Sequence, residues 1–197
     1  MNGLLIAFEG LDQSGKQTQA QLLCERLEVA GRRVRVVSFP DYRTAIGAEL
    51  GRALRGERDY GPDVMQLLYV TNRYEWKREI ERSLEAGMVV LCDRYLASSV
   101  AYGEAQGLDP AWLVEIQKFL PQPDLTVVLD IAPETAVRRK AADRDRFEQD
   151  LALLERVRES YRRQAGQPTW IRIDGERERP AVAADVATAV ATLLEPR

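Results

Sequence analysis

The 197-residue sequence contains no histidine. That removes Ser-His and Cys-His nucleophile pairs and histidine-ligated metal sites together. Any chemistry has to come from carboxylates, arginines, lysines, hydroxyls, backbone amides or a borrowed ion. Cysteine is scarce: Cys24 and Cys92 make neither a disulfide framework nor a zinc site. A reducing cytoplasm is the expected location. Long apolar runs are missing. No stretch approaches the roughly 20 apolar residues of a membrane helix. The run Gly3 to Phe8 is too short for a secretory signal, lacks a basic flank and ends at Glu9. No membrane partner is expected. The net charge is -3, where a nucleic-acid-binding domain is usually basic, so no nucleic-acid polymer is expected as a partner. Lysine is also rare, with four residues (Lys16, Lys77, Lys118, Lys140) against 24 arginines. Arginine grips phosphates bidentately, although biased codon usage explains most of that excess.

What is present is ordinary globular composition in a chain long enough to bury a core without staples. One domain over residues 1–197 is expected. Short apolar runs at Leu4–Phe8, Val34–Phe39, Met88–Cys92, Leu125–Ile131 and Trp170–Ile173 read as strands. Helical patterns separate them: Gly15–Ala30, Ala45–Leu54, Asp63–Leu84, Ser98–Ala105, Pro110–Leu120, Pro133–Lys140, Glu148–Gln164 and Pro180–Leu194. Strands buried on both faces read as continuous apolar runs, and these do. The alternation predicts a three-layer α/β fold on a mainly parallel sheet. In such sheets ligands bind beyond the carboxyl ends of the strands. The residues that matter most are then Gly10–Thr18, Pro40–Thr44, Asp93–Tyr95, Ile131–Pro133 and Asp174–Gly175.

Gly10-Leu11-Asp12-Gln13-Ser14-Gly15-Lys16 follows a strand and opens a helix, which fits the phosphate-loop pattern G-x-x-x-x-G-K. Backbone amides and a helix N-terminus there aim at phosphates, and Lys16 reaches the outer ones. The pattern expects Ser or Thr next, to ligate Mg²⁺. Gln17 stands there, and Thr18 follows one later. Glu9, Asp12 and Asp93 could hold the ion through water, since Mg²⁺ keeps much of its hydration shell. The guanine signature Asn-Lys-x-Asp of GTPases cannot occur, because neither Asn2 nor Asn72 precedes a lysine. A distributed arginine set remains: Arg73, Arg94, and a charged break with Arg138, Arg139, Lys140, Arg144 and Arg146. Phosphoryl transfer between two anionic substrates asks for such positioning and neutralisation. A segment of that kind can close over phosphates and exclude water. It can equally be a solvated loop in which Asp143 and Asp145 balance the charge.

Six pieces in order resemble the thymidylate kinases over nearly the whole chain. They are Phe8-Glu9-Gly10-Leu11-Asp12 leading to Gly15-Lys16; Phe39-Pro40; Leu68-Tyr69 with Asn72-Arg73; Asp93-Arg94-Tyr95 with Ser98-Ser99 and Ala101-Tyr102; Pro123-Asp124; and Asp145-Arg146-x-Glu148. The resemblance implies ATP and dTMP as substrates, Mg²⁺ as cofactor, a five-stranded parallel sheet of the P-loop NTPase type, a mobile lid over about residues 138–148, and a homodimer. It implies an ATP site formed by Gly10, Leu11, Asp12, Gln13, Ser14, Gly15, Lys16, Gln17, Thr18 and Arg138. It implies a dTMP site formed by Asp12, Phe39, Pro40, Arg43, Leu54, Tyr69, Arg73, Arg94, Ser98, Ser99 and Tyr102. Asp12, Lys16, Arg94, Arg139 and Arg144 take the catalytic roles, with Asp12 and Asp93 at the metal through water. The family tolerates a residue without a hydroxyl at the Gln17 position. Where the Gln13 position is not arginine, lid arginines serve the reaction, hence Arg139 and Arg144. The arginine often found two after Phe-Pro is Tyr42 here, with Arg43 next. The resemblance also implies that Tyr102 lies against the sugar and disfavours a ribose hydroxyl, and that Ser98 and Ser99 lie near the base or a nearby water.

The chemistry of the base site can be read from residue types. Tyr69 and Arg73 are four apart on a helix and share a face. The ring can stack on a base, and the guanidinium, which only donates, suits thymine O4 and opposes the cytosine amino group. The other reading keeps Tyr69 in the core and Arg73 in a surface ion pair with Glu75 or a neighbour of Lys77. Rival functions are a kinase for another nucleotide or deoxynucleoside, and a non-catalytic nucleotide-binding regulator.

Overall fold

The computed structural model describes residues 3–139 and 150–194. Five strands form one parallel sheet in the order β2-β3-β1-β4-β5: β1 (Leu4–Glu9), β2 (Val34–Ser38), β3 (Val89–Asp93), β4 (Leu125–Asp130) and β5 (Trp170–Asp174). The helices are α1 (Lys16–Val29), α2 (Ala45–Leu54), α3 (Pro62–Glu85), α4 (Leu96–Ala105), α5 (Pro110–Glu115), α6 (Pro133–Arg139), α7 (Leu151–Gln164) and α8 (Arg179–Leu194).

Side chains alternate across β1. Ile6 and Phe8 pack with Leu23 of α1 and Val186 of α8 on one face. Leu5 and Ala7 pack with Ile80 of α3 and with Tyr95 on the other. A third cluster joins α4, α6 and α7 around Val128, Leu154 and Tyr161. Burying one such aliphatic chain contributes about 2 kcal/mol, so the sheet is held from both sides. The expectation of strands buried throughout holds for β1, β3 and β4. It fails for β2 and β5, which are the sheet edges and bury little more than Val37 and Ile173.

Three helix limits differ from the sequence reading by more than one residue, each for a local reason. The fifth helix ends at Glu115, because Gln117, Lys118 and Leu120 then donate to carbonyls three residues back and wind the chain tighter. The fourth begins at Leu96, capped from outside by the Glu9 carboxylate, which accepts from the amides of Tyr95 (2.8 Å) and Ser98 (3.3 Å). The seventh begins at Leu151, where the Asp150 side chain accepts from the Leu153 amide at 3.0 Å.

The parallel arrangement puts every strand's carboxyl end on one side. Since β1 pairs with both β3 and β4, the loop after it emerges at the middle of that edge, between the loop after β3 and the loop after β4.

Candidate active site

The loop after β1 is built for an anion. Gly10 has φ 131°, and a Cβ there would lie 2.4 Å from the Leu129 carbonyl oxygen, so only glycine fits against β4. Gly15, at φ 98°, turns the chain into α1 with no side-chain cap and no acidic residue in the first turn. The first amides of that helix are thus left for a ligand. Gln13 takes φ 62° without being glycine, a strained conformation of the kind that clusters at binding sites. Lys16 is folded back and buried, donating to the Leu11 carbonyl at 2.8 Å. Burial, and next the positive charge of Arg94, pull its pKa down from the ordinary 10.5 to about 8.

Two adjoining cavities flank this loop. The larger, about 530 Å³, is lined by Asp12, Gln13, Ser14, Gly15, Lys16, Gln17 and Thr18, by Asp93 and Arg94 at the end of β3, by Arg139, and by the loop from Gly175 to Arg179. The smaller, about 330 Å³, is lined by Phe39, Pro40, Tyr42, Leu54, Gln66, Tyr69, Arg73, Ser98, Ser99, Tyr102 and Gln106. Asp12, Phe39 and Arg94 line both. At that junction Arg94 donates to Asp12 at 2.6 Å and stands over the Tyr102 ring at 5.2 Å. Burial raises the Asp12 pKa, but the charges of Arg94 and Lys16 outweigh it and hold the carboxyl well below the usual carboxylate range. Burial works against the Arg94 charge, but the charge and hydrogen bond of Asp12 together with the Tyr102 and Tyr161 hydroxyls outweigh it and keep the guanidinium firmly protonated. Arg94 itself has φ 63°, again strained for a non-glycine residue.

Arg73 is 3% exposed. It donates to Ser99 Oγ at 2.7 Å and to Gln117 Oε1 at 3.3 Å, while its Nε has no partner. The surface ion-pair reading is overturned, because Asn72 takes Glu75 instead, at 2.9 Å. Asn72 is fully buried and also accepts from the Asp41 amide at 2.8 Å, which ties α3 to the Phe39–Tyr42 wall of the smaller cavity.

Four expected residues stand elsewhere. Arg43 is paired with Asp41 at 2.8 Å, its side chain 82% exposed, and Tyr42 lines the cavity in its place. The reason is local: the Asp41 carboxylate, two residues back, captures both ends of the guanidinium. Arg138 donates to Thr135 on its own helix and lines neither cavity, whereas Arg139 reaches the Gln13 carbonyl at 3.2 Å and the Gly175 carbonyl at 3.0 Å. Gly10 and Leu11 lie under the loop and hold Arg94 and Lys16 through their carbonyls. Arg144 and Arg146, with most of the expected lid, lie outside the described residues.

The donor set suits a hydrated Mg²⁺. Asp93 Oδ1 is buried in the wall of the larger cavity with no hydrogen-bond partner. Thr18 lines the same cavity. Both Asp12 oxygens already accept, from Arg94 and from Tyr102. Among the described residues no three His, Cys, Asp or Glu side chains gather. Mg²⁺ needs no such cage when phosphates and water complete its shell.

Sequence reasoning missed Gln66 and most of the Gly175–Arg179 loop, and it set Glu9 beside the ion, where the structure does not have it. Glu9 is not at the cavity; it is fully buried and accepts from Ser98 Oγ at 2.6 Å and Tyr161 at 3.1 Å. Gln66 lines the smaller cavity with its Oε1 unpartnered. The Gly175–Arg179 loop completes the larger one. Only its position after β5 signalled that loop, and nothing in the spacing signalled Gln66 or the anchoring role of Glu9.

The family model for thymidylate kinase matches residues 8–186. A thymidylate kinase of Plasmodium falciparum is 33% identical over 196 residues, covering 98% of this chain and 93% of that one. The thymidylate kinase of Schizosaccharomyces pombe is 35% identical over 161 residues, covering 82% and 76%. The solved thymidylate kinase of Candida albicans superposes with a TM-score of 0.86 at 28% identity, over 97% of this chain and 92% of that one. With the phosphate loop, the paired cavities and these matches in agreement, the chain belongs to the thymidylate kinase family.

Proposed function

We infer that this chain transfers the γ-phosphoryl group of ATP to dTMP, giving ADP and dTDP. The observation that carries this reading is the junction of two cavities at the Asp12–Arg94 pair. A phosphoryl donor in the larger cavity and an acceptor in the smaller one would meet there.

An oxygen of the dTMP phosphate attacks the γ-phosphorus, and the bond from phosphorus to the bridging oxygen of ADP breaks. The acceptor oxygen is largely ionised at pH 7, so no strong general base is assigned. Catalysis then rests on positioning and charge. The loop amides and Lys16 take the donor phosphates. Arg94 takes the acceptor phosphate and reaches toward the transferred group. Asp12 orients the acceptor through Arg94 and Tyr102. Arg139 adds positive charge at the donor side, and Arg144 would join it. Mg²⁺, held through water by Asp93, would supply charge neutralisation on the transferring oxygens.

The acceptor base lies between apolar walls, with Tyr69 for stacking and Arg73 for the O4 edge. A homodimer is proposed on the exposed Val64 and Leu67 of α3, three residues apart on one helix face. A cytoplasmic role in dTTP synthesis accords with two free, buried cysteines, and among the described residues no helix is long and apolar enough to cross a membrane.

The test is ADP release with ATP, Mg²⁺ and a panel of dTMP, dUMP, dCMP, dGMP and thymidine. Strong preference for dTMP supports the reading. ADP release with another acceptor alone moves the chain to a different kinase activity. Nucleotide binding without acceptor-stimulated release refutes phosphoryl transfer.

A further inference from the structure

The α7 helix reaches the reaction centre at one atom. Tyr161 is 1% exposed, its ring packed with Val128, Leu154 and Val157. Its hydroxyl lies 3.1 Å from Glu9 Oε2, 2.9 Å from Ser98 Oγ and 3.4 Å from Arg94 Nη1. The Glu9 carboxylate also receives the Ser98 hydroxyl at 2.6 Å. An ionised carboxylate only accepts. Both hydroxyls therefore spend their protons on Glu9 and turn lone pairs toward Arg94, whose Nη1 donates to Ser98 Oγ at 3.2 Å and to the Gly10 carbonyl at 3.3 Å. The other guanidinium nitrogen is held by Asp12 and by Tyr102. Burial and the Glu9 charge push the Tyr161 pKa far up, so its proton stays on.

We propose that the Tyr161 hydroxyl, oriented by Glu9, is a positioning group for Arg94. It fixes the rotation of the guanidinium at the junction of the two cavities from an element outside both of them. The role rests on the phosphoryl-transfer reading. The physical reason is geometric. Asp12 alone would leave the guanidinium free to swing about one ion pair, on a backbone that is itself strained at φ 63°. Weak acceptors on the far nitrogen close that freedom without engaging the Nε–H, which is left for a phosphate oxygen.

Tyr161→Phe keeps the ring and removes only the oxygen. The expected result is a fall in kcat of roughly tenfold, the rate equivalent of one hydrogen bond to a charged group, with KM for ATP unchanged. Val157→Ala, one turn earlier in the same cluster, should lower Tm and leave kcat alone. The decisive comparison places Tyr161→Phe in an Arg94→Lys background, followed in single turnovers with enzyme in excess so that slow rates stay readable. There it should change the rate by less than about twofold, because the partner it positions is gone. A kcat for Tyr161→Phe within about twofold of the wild type overturns the proposal. So does an equal loss in both backgrounds, which marks a packing role. Wild-type protein that releases no ADP with dTMP refutes the phosphoryl-transfer reading and this role with it, whereas an active wild type beside an unaffected variant refutes this role alone.

Discussion

Lys16 enters the site under strain of charge, and that is measurable. It is buried, and its pKa of about 8 lies below the ordinary 10.5 because of burial first and the Arg94 charge second. The sign follows directly. The charged form binds phosphates, so affinity for a nucleotide falls as pH rises through the free-enzyme pKa. Between about pH 7.5 and about pH 9.5 the protonated fraction, and with it the affinity for ADP, should drop ~20-fold. Replacing Arg94 with methionine removes the second cause, and the fall should move to higher pH and become shallower over the same interval. Isothermal titration of ADP at several pH values reads this without needing turnover, which the Arg94 variant will lack. A wild-type affinity flat across the interval would show that Lys16 is not held near pH 8. An unmoved limb in the Arg94→Met protein would show that burial alone sets it.

Other perturbations test the remaining assignments. Arg73→Ala should cost dTMP about a hundredfold in kcat/KM and leave dCMP nearly untouched, since a charged donor buried against Ser99 is lost; equal losses for both acceptors in the ADP-release assay would refute base reading. dUMP should be a weaker but real substrate, because one methyl in an apolar pocket is worth ~1–3 kcal/mol; kcat/KM equal to that of dTMP would refute the thymine pocket. Lys16→Met should abolish turnover while Tm holds or rises, as ~3 kcal/mol of disfavoured buried charge disappears; a clear fall in Tm by calorimetry would contradict it. Asn72→Ala should destabilise the fold by ~2 kcal/mol, read as a Tm loss of several degrees, and raise KM for dTMP through the Phe39–Tyr42 wall; unchanged Tm and KM would show that wall stands without it.

Much of the fold was legible in one dimension because its signals are local. Apolar runs bounded by glycine and proline marked five strands, and Asp109 before Pro110 marked a helix start that the structure keeps. The phosphate loop was legible for the same reason, since the amides that form it are consecutive. Arg43 shows the limit. Its place two residues after Asp41 was visible, but which carboxylate captures a long flexible side chain depends on where the Asp41 backbone is pinned, and Asn72 of α3 does the pinning.

What the sequence by itself determined is the alternation of strands and helices, the phosphate loop and Lys16, and the tyrosine–arginine pair on one helix face. Each of these follows from residues within a turn or a strand of one another. Only the tertiary structure decided the strand order, the meeting of two cavities at Asp12 and Arg94, and the conversion of Glu9 into a buried anchor. Ser98 and Tyr161 lie 89 and 152 positions from that glutamate along the chain. No period or spacing relates them. A buried carboxylate has to find donors, and which donors it finds is settled by the packing of α4 and α7 against the sheet.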